Sequence, residues 1–175
     1  MAGAIVWMTG MPGAGKTTLA QALCTSLERQ GRPVEILDGD RIRQMLSAEL
    51  GYSKADRDLN VRRLGFLAKL LAKYGVTVIV AAISPYRAVR DEVRRQQDAI
   101  FMEVFVDCPI EVLRARDPKG LYEKALRGEI KEFTGVSAPY EPPVNPECRV
   151  RTDAQSVDEC VASLLGTLRQ LEDSR

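Results

Sequence analysis

The sequence predicts an α/β fold, a three-layer α/β/α sandwich around a mainly parallel five-stranded sheet. Three observations lead there. Short apolar runs alternate with segments whose apolar residues recur every three or four positions, and strands that alternate with helices pair in parallel through crossovers. The run VTVIVAA, residues 76–82, is rich in β-branched residues on both of its faces, as a covered strand must be. No internal repeat or low-complexity linker interrupts the alternation, and 175 residues suit one well-cored domain, 1–175.

Each element has its own signal. The apolar run from Ala4 to Thr9 leads into glycines, and TTLAQALCTSLERQG then carries Leu19, Leu23 and Leu27 at four-residue intervals up to Gly31: strand, loop, helix, stop. PVEIL is a short strand ending at Asp38-Gly39-Asp40, and RIRQMLSAEL resumes a helical pattern up to Gly51. Ser53 opens another helix, with Asp56 as its capping-box partner, and Leu64, Leu67, Leu71 and Tyr74 follow before Gly75. Beyond VTVIVAA, the polar helical stretch YRAVRDEVRRQQD precedes the strand FMEVFVD at 101–107, and a short helix follows Pro109. The proline-rich APYEPPVNPE at 138–147 is a poor place for regular structure. CRVRT makes the last strand. Ser156 and Glu159 form a capping box for a final helix in which Val157, Val161, Leu164, Leu168 and Leu171 face the core.

Composition narrows the chemistry. An apolar share of 45% and a charged share of 28% belong to a soluble globular chain, and no apolar run approaches the roughly 20 residues that span a bilayer. The start MAGAIVWMTG has no basic n-region, so a cytoplasmic location and no membrane partner are expected. Net charge is +1, with basic residues scattered among acids, which argues against a nucleic-acid partner. Cys24, Cys108, Cys148 and Cys160 form no Cys-x-x-Cys pair, so they read as thiols in apolar surroundings. Histidine is absent. That removes Ser-His-Asp and Cys-His nucleophile pairs, histidine bases and histidine metal sites, and leaves Asp, Glu, Lys or solvent to move protons.

GMPGAGKT, residues 10–17, satisfies Gly-x-x-x-x-Gly-Lys-Ser/Thr with a strand before it and a helix after it, which makes the sandwich one of the P-loop kinase type. Gly10, Met11, Pro12, Gly13, Ala14 and Gly15 would turn backbone N–H groups onto phosphate oxygens. Lys16 reaches the β/γ-phosphates, Thr17 offers a hydroxyl to Mg²⁺, and Thr18 continues the helix N-terminus. ATP with Mg²⁺ is the expected ligand. The acceptor of the phosphate is not encoded in this motif.

Ligands of open α/β sheets sit beyond the carboxyl ends of the strands, where Asp38, Asp40, Ser84 and Asp107 all fall. A carboxylate there can organise Mg²⁺ or take the proton of an attacking hydroxyl, a plain turn about Gly39 being the alternative for Asp38 and Asp40. For Asp107, just ahead of Cys108-Pro109, a helix cap is the plainer expectation. Arg43 follows Asp40 by one helical step, and Arg57 with Asn60, then Arg87 with Arg90, repeat an i, i+3 spacing. Such faces could bind a second anion or simply be solvated.

Taken together, GMPGAGKTT, LDGDRIR, LGYSKADRDLNVRR, AAISPYRAVR, EVFVDCPIEVLRARDPKGLYEKA and GEIKEFTGVSAPYEPP resemble, in order and over nearly the whole chain, the adenylylsulfate kinases. The resemblance implies transfer of the ATP γ-phosphate to the 3′-hydroxyl of adenylyl sulfate. By motif it implies Asp40 as base or Mg²⁺ organiser, with Lys16 catalytic. Asp38, Arg43, Arg57 and Asn60 would bind adenylyl sulfate, Tyr52 and Phe133 would stack on its adenine, and Ile83 and Ser84 would line the same pocket. It implies a lid and substrate loop over 116–147, in which Lys119 and Lys124 close on phosphates and Arg116 stacks on the ATP adenine. A phosphoserine at Ser84 has been described for the family and stands as an alternative to a binding role. Arg41 departs from the usual asparagine after Asp-Gly-Asp, and Tyr52 from a frequent phenylalanine. At 175 residues a stand-alone kinase without a fused sulfurylase domain is expected, and a homodimer is compatible with the family pattern. Another small phosphate-loop kinase, for a sugar acid or nucleoside, would share only the ATP half, and a nucleotide switch would need a guanine motif that the sequence lacks in the right place.

Overall fold

β1 (Ala4–Thr9) is buried along its whole length, and its place explains why: it is the central strand of a five-stranded sheet. In this structure, a computed structural model that describes residues 3–117 and 119–174, the strand order is β2-β3-β1-β4-β5. The others are β2 (Val34–Asp38), β3 (Thr77–Ala81), β4 (Ile100–Asp107) and β5 (Cys148–Arg151), and every pairing is parallel. Pro118, within the motif DPKGLY, lies outside the described residues.

Alternate residues of β1 serve two cores. Val6 and Met8 pack with Leu19, Leu23 and Leu27 of α1 (Lys16–Glu28) and with Leu164 and Leu168 of α7 (Val157–Asp173). Ile5 and Trp7 pack with Leu64 and Ala68 of α3 (Lys54–Lys73) and with Val89 and Val93 of α4 (Arg87–Arg95). The period-2 alternation of the strand and the four-residue spacing of the helices therefore meet in three layers. The smaller helices α2 (Gly39–Leu46), α5 (Ile110–Arg116) and α6 (Leu121–Leu126) stand at the carboxyl ends of the strands. The chain winds to one side of β1 through β2 and β3 and to the other through β4 and β5, so the loop after β1 sits where the winding reverses.

Three local expectations are corrected. Val157 is 41% exposed, because Cys160 and Val161 take the buried places in the first turns of α7. At α3 the Ser53 hydroxyl accepts the Asp56 N–H at 3.2 Å, but the Asp56 carboxylate takes the Ser53 hydroxyl proton and not its amide. Aspartate is one methylene short for the reciprocal bond, which Glu159 makes to the Ser156 amide at 2.7 Å. Asp107 caps nothing: the residue before α5 is Pro109, and the Asp107 carboxylate instead accepts two bonds from Arg149 of β5, at 2.5 and 3.1 Å. All four cysteines are free thiols, and no described helix is long and apolar enough to cross a membrane.

Candidate active site

The phosphate loop leaves β1 and enters α1 through Gly15, whose φ of 97° only glycine adopts readily. No side chain caps α1, so its first N–H groups are available to phosphate oxygens. The Lys16 ammonium crosses the loop, donating to the carbonyls of Gly10 at 2.8 Å and Met11 at 2.9 Å. Burial lowers its pKa to about 8, against the opposing pull of the Asp40 and Asp38 carboxylates. Neighbours brace the loop: the Tyr122 hydroxyl of α6 donates to Pro12 O at 2.7 Å, and Thr152 donates to Ala14 O at 2.9 Å. Arg116 donates to the Thr152 carbonyl at 2.8 Å, which sets it beside the turn that follows β5.

Asp38 joins this loop to the next corner. One carboxylate oxygen accepts the Thr17 hydroxyl at 2.9 Å, and the other accepts the amides of Asp40 and Arg41, capping α2. The corner needs glycine between the two aspartates: a Cβ on Gly39 would lie 2.9 Å from the Cβ of Ala82. Because the cap uses the Arg41 backbone and its side chain is exposed, the departure from the family's asparagine leaves the corner intact. Asp40 is exposed beside Lys16. Thr17, Asp38 and Asp40 thus present hard oxygen donors at one mouth, the donor type that Mg²⁺ prefers.

Further along α2 and at the start of α3, two guanidinium groups lie near the Tyr52 ring, Arg43 at 4.5 Å and Arg57 at 5.6 Å from its centroid. Arg43 donates to the carbonyls of Leu50 and Gly51. Arg57 donates to Tyr52 O at 2.7 Å, to the Thr134 hydroxyl at 2.9 Å and to Glu132 O. Burial lowers the Arg57 pKa, and the Arg43 charge adds to the effect. Every Arg57 nitrogen is engaged by a protein oxygen, so Arg57 contributes charge, whereas Arg43 bonds its two carbonyls through Nη2 alone and has Nε and Nη1 to offer an anion among the described residues. Asn60 is buried, and its Oδ1 has no hydrogen-bond partner among the described residues. Tyr52 is 58% exposed, whereas Phe133 is buried with Tyr122 edge-on to it at 5.0 Å. Lys119 and Lys124 are exposed before and within α6.

Ser84 and Arg90 are not where a solvated helix face would put them, whereas Arg87 is exposed. Ser84 is 3% exposed, with its hydroxyl accepting the Trp7 indole N–H at 3.1 Å. Its φ of 40° is costly for a residue with a Cβ, by about 1–3 kcal/mol. Ile83 presents its carbonyl to the Thr9 hydroxyl at 2.7 Å. Arg90 is buried against Glu103 and offers no free fork to a ligand, while the exposed Arg87 turns Nε and Nη2 to Pro142 O. A cleft of about 670 Å³ runs between the end of β4 and residues 135–142, and it meets the phosphate loop only at Met11, so the reacting groups lie outside it.

The family model for adenylylsulphate kinase matches residues 2–151. This chain belongs to that family. It is 57% identical over 170 residues to an adenylyl-sulfate kinase of Chloroflexus aurantiacus, covering 97% of this chain and 91% of that protein. Among solved structures it is similar to the Mycobacterium tuberculosis APS kinase in complex with AMPPNP and APS, with a TM-score of 0.91 and 43% identity over 96% of this chain and 98% of that one. A hexameric APS kinase from Thiobacillus denitrificans matches at 37% identity and a TM-score of 0.73, over 97% of this chain and 29% of that one.

The phosphate loop and the Asp-Gly-Asp corner were legible in advance as local motifs, whereas the meeting of Arg43 and Arg57 at Tyr52 and several supporting residues were not. Trp7 reads as a strand core residue, yet its indole fixes the Ser84 hydroxyl. Thr9 ends the first strand and also bonds the Tyr140 hydroxyl at 3.0 Å. Tyr122 and Thr134 sit in segments with no periodicity. The only available hint was an aromatic and a threonine in otherwise charged stretches.

Proposed function

We propose that the chain transfers the γ-phosphate of ATP to the ribose 3′-hydroxyl of adenylyl sulfate, giving 3′-phosphoadenylyl sulfate and ADP. The observation that carries it is one continuous link from the phosphate loop to the arginine cluster: Thr17 bonds Asp38, Asp38 caps α2, and α2 carries Asp40 beside Lys16 and Arg43 over Tyr52. The first site would hold the ATP phosphates. The arginine cluster, with Asn60 and the Ile83–Ser84 turn, would hold adenylyl sulfate, and Tyr52 would lie on its adenine. Asp40 takes the proton as the hydroxyl oxygen bonds to phosphorus and the bond to the ADP oxygen breaks. Lys16 offsets the charge spread over the moving group. Thr17, Asp38 and Asp40 would help hold Mg²⁺, which would supply neutralisation of the phosphate charge. Segment 116–147 would act as a lid that excludes water, with Lys119 and Lys124 toward phosphates and Arg116 toward the ATP adenine. The deciding assay is ADP release from Mg-ATP, which should require adenylyl sulfate and ignore gluconate and nucleosides.

Direct transfer is favoured over a phosphoserine. The Ser84 hydroxyl is engaged by Trp7 and Ala82 O, with no carboxylate or lysine bonded to it as an activating base. Ser84→Ala should keep turnover within about tenfold, the size of one lost neutral hydrogen bond. Mass spectrometry after incubation with ATP should find no phosphate on Ser84. A stoichiometric phosphoserine would reverse the assignment.

The cytoplasm, with its reducing poise, suits four free thiols. A homodimer is proposed through the outer face of α3. Phe66 (68% exposed), Leu70 and Tyr74 (75%) line it, and Met45 (74%) and Leu46 of α2 adjoin it through the Arg63 bond to Leu46 O. Side chains of this size at such exposure present on the order of 600 Å² of apolar surface, most of the roughly 800 Å² per partner of a standard interface. Light scattering should show a dimer that Phe66→Glu with Tyr74→Glu converts to a monomer. A monomeric parent, or a dimeric double variant, would refute the interface.

A further inference from the structure

We infer that Arg90 is a positioning residue of the acceptor pocket, which holds the Ile83–Ser84 turn and the segment around Glu141 in one arrangement and governs adenylyl sulfate binding through them. The inference rests on Ile83 and Ser84 lining that pocket. Arg90 is 1% exposed and reaches no substrate itself.

Each of its three nitrogens has a separate acceptor. Nε donates to Glu103 Oε1 at 2.8 Å, Nη1 to the Ser84 carbonyl at 2.7 Å and Nη2 to the Glu141 carbonyl at 2.7 Å. The first bond neutralises the charge. The other two tie together backbone segments far apart in sequence, which bond each other as well: the Glu141 amide donates to Pro85 O at 2.8 Å, and the Arg87 amide to the Glu141 carboxylate at 2.7 Å. Glu103 is itself fixed, since Arg94 donates to its other oxygen at 3.2 Å and its own amide donates to Glu147 at 2.7 Å.

Why an arginine is buried here follows from what it provides. A buried ion pair contributes little net stability over an apolar replacement, whereas a planar fork fixes the relative positions of several acceptors. Ser84 needs such fixing, because a non-glycine residue at φ 40° persists only when its surroundings over-determine it. The Arg90 fork grips its carbonyl while Trp7 grips its hydroxyl. Downstream, the Glu141 segment follows Thr134, which Arg57 holds, and Tyr140, which Thr9 holds. Arg90 therefore sets both the floor and the closing strap of the acceptor side. The phosphate loop is braced independently by Tyr122 and Thr152, so ATP binding should be insulated from it.

The test is steady-state kinetics of Arg90→Lys, Arg90→Met and Glu103→Gln, with folded fraction followed by circular dichroism. Lysine keeps the charge opposite Glu103, but its single ammonium cannot reproduce a planar fork whose three nitrogens meet Glu103, Ser84 O and Glu141 O in fixed directions. Arg90→Lys is expected to fold and to raise the KM for adenylyl sulfate by about tenfold to a hundredfold, with the KM for ATP within about twofold. Arg90→Met should do the same where it folds, and Glu103→Gln should give a smaller rise with the same selectivity. A wild-type acceptor KM in Arg90→Lys would show that only the charge is needed and overturn the inference. Parallel changes in both KM values, or a loss that only tracks unfolding, would also overturn it by reducing Arg90 to a core ion pair. Arg57→Ala and Asn60→Ala are the controls. If they too leave the acceptor KM unchanged, the pocket assignment falls and Arg90's role with it; if they raise it while Arg90→Lys does not, Arg90 alone is wrong.

Discussion

Asp40→Asn is expected to lower turnover by about 10²–10⁴, with the KM for ATP little changed. The size follows from how few groups can accept the 3′-hydroxyl proton. There is no histidine in the chain. Burial pushes the Tyr122 and Tyr140 phenols up to about 12, so both stay protonated near neutrality and act only as hydrogen-bond groups. Asp38 is committed on both oxygens, to Thr17 and to the amides that begin α2. That leaves Asp40, exposed at the corner beside Lys16. Asparagine keeps the shape and the α2 start while removing the proton acceptor. Single-turnover measurement of the phosphoryl-transfer step checks it, and a near-wild-type rate would take the base role away from Asp40.

Lys16→Met should cost about 10²–10³ in kcat/KM for ATP, the usual scale for removing one charged donor from a transition state. The parent enzyme should show the same dependence through pH. Burial lowers the Lys16 pKa to about 8, and it is the cation that attracts phosphate. As pH rises through that value the free enzyme loses the ammonium, so kcat/KM for ATP should fall above about pH 8. Bound phosphates favour the cation and push the pKa up, so kcat itself should hold to higher pH. In Lys16→Met that alkaline limb should disappear. A pH-independent kcat/KM between pH 7 and 9.5 in the parent would mean that Lys16 stays charged throughout.

Legibility followed chemistry that is local in sequence. GMPGAGKT requires its own glycines, so its conformation is written within eight residues, and Leu19, Leu23 and Leu27 mark the helix behind it. Asp38-Gly39-Asp40 was legible as a corner for the same reason, and the fold confirms why glycine stands there. Ser156 and Glu159 announced their helix correctly. Asp107 did not behave as its neighbour Pro109 suggested, because Arg149, forty-two positions later, lies on the adjacent strand and outcompetes the cap. Arg87 and Arg90 have the spacing of an anion-binding face, and nothing local reveals that Glu103, Ser84 and Glu141 surround the second of them.

The sequence by itself determined the layer architecture, the phosphate-loop motif and, through family resemblance, the activity. Periodicity, glycine-dependent turns and caps depend on residues within a few positions of one another, and their signals survive without the fold. Only the tertiary structure decided which carboxylate is tied down and which is exposed, that Ser84 is a buried strained turn, and that Arg90 is a brace. Those outcomes depend on what faces a side chain from another strand or loop, and on the desolvation that comes with it, neither of which spacing along the chain encodes.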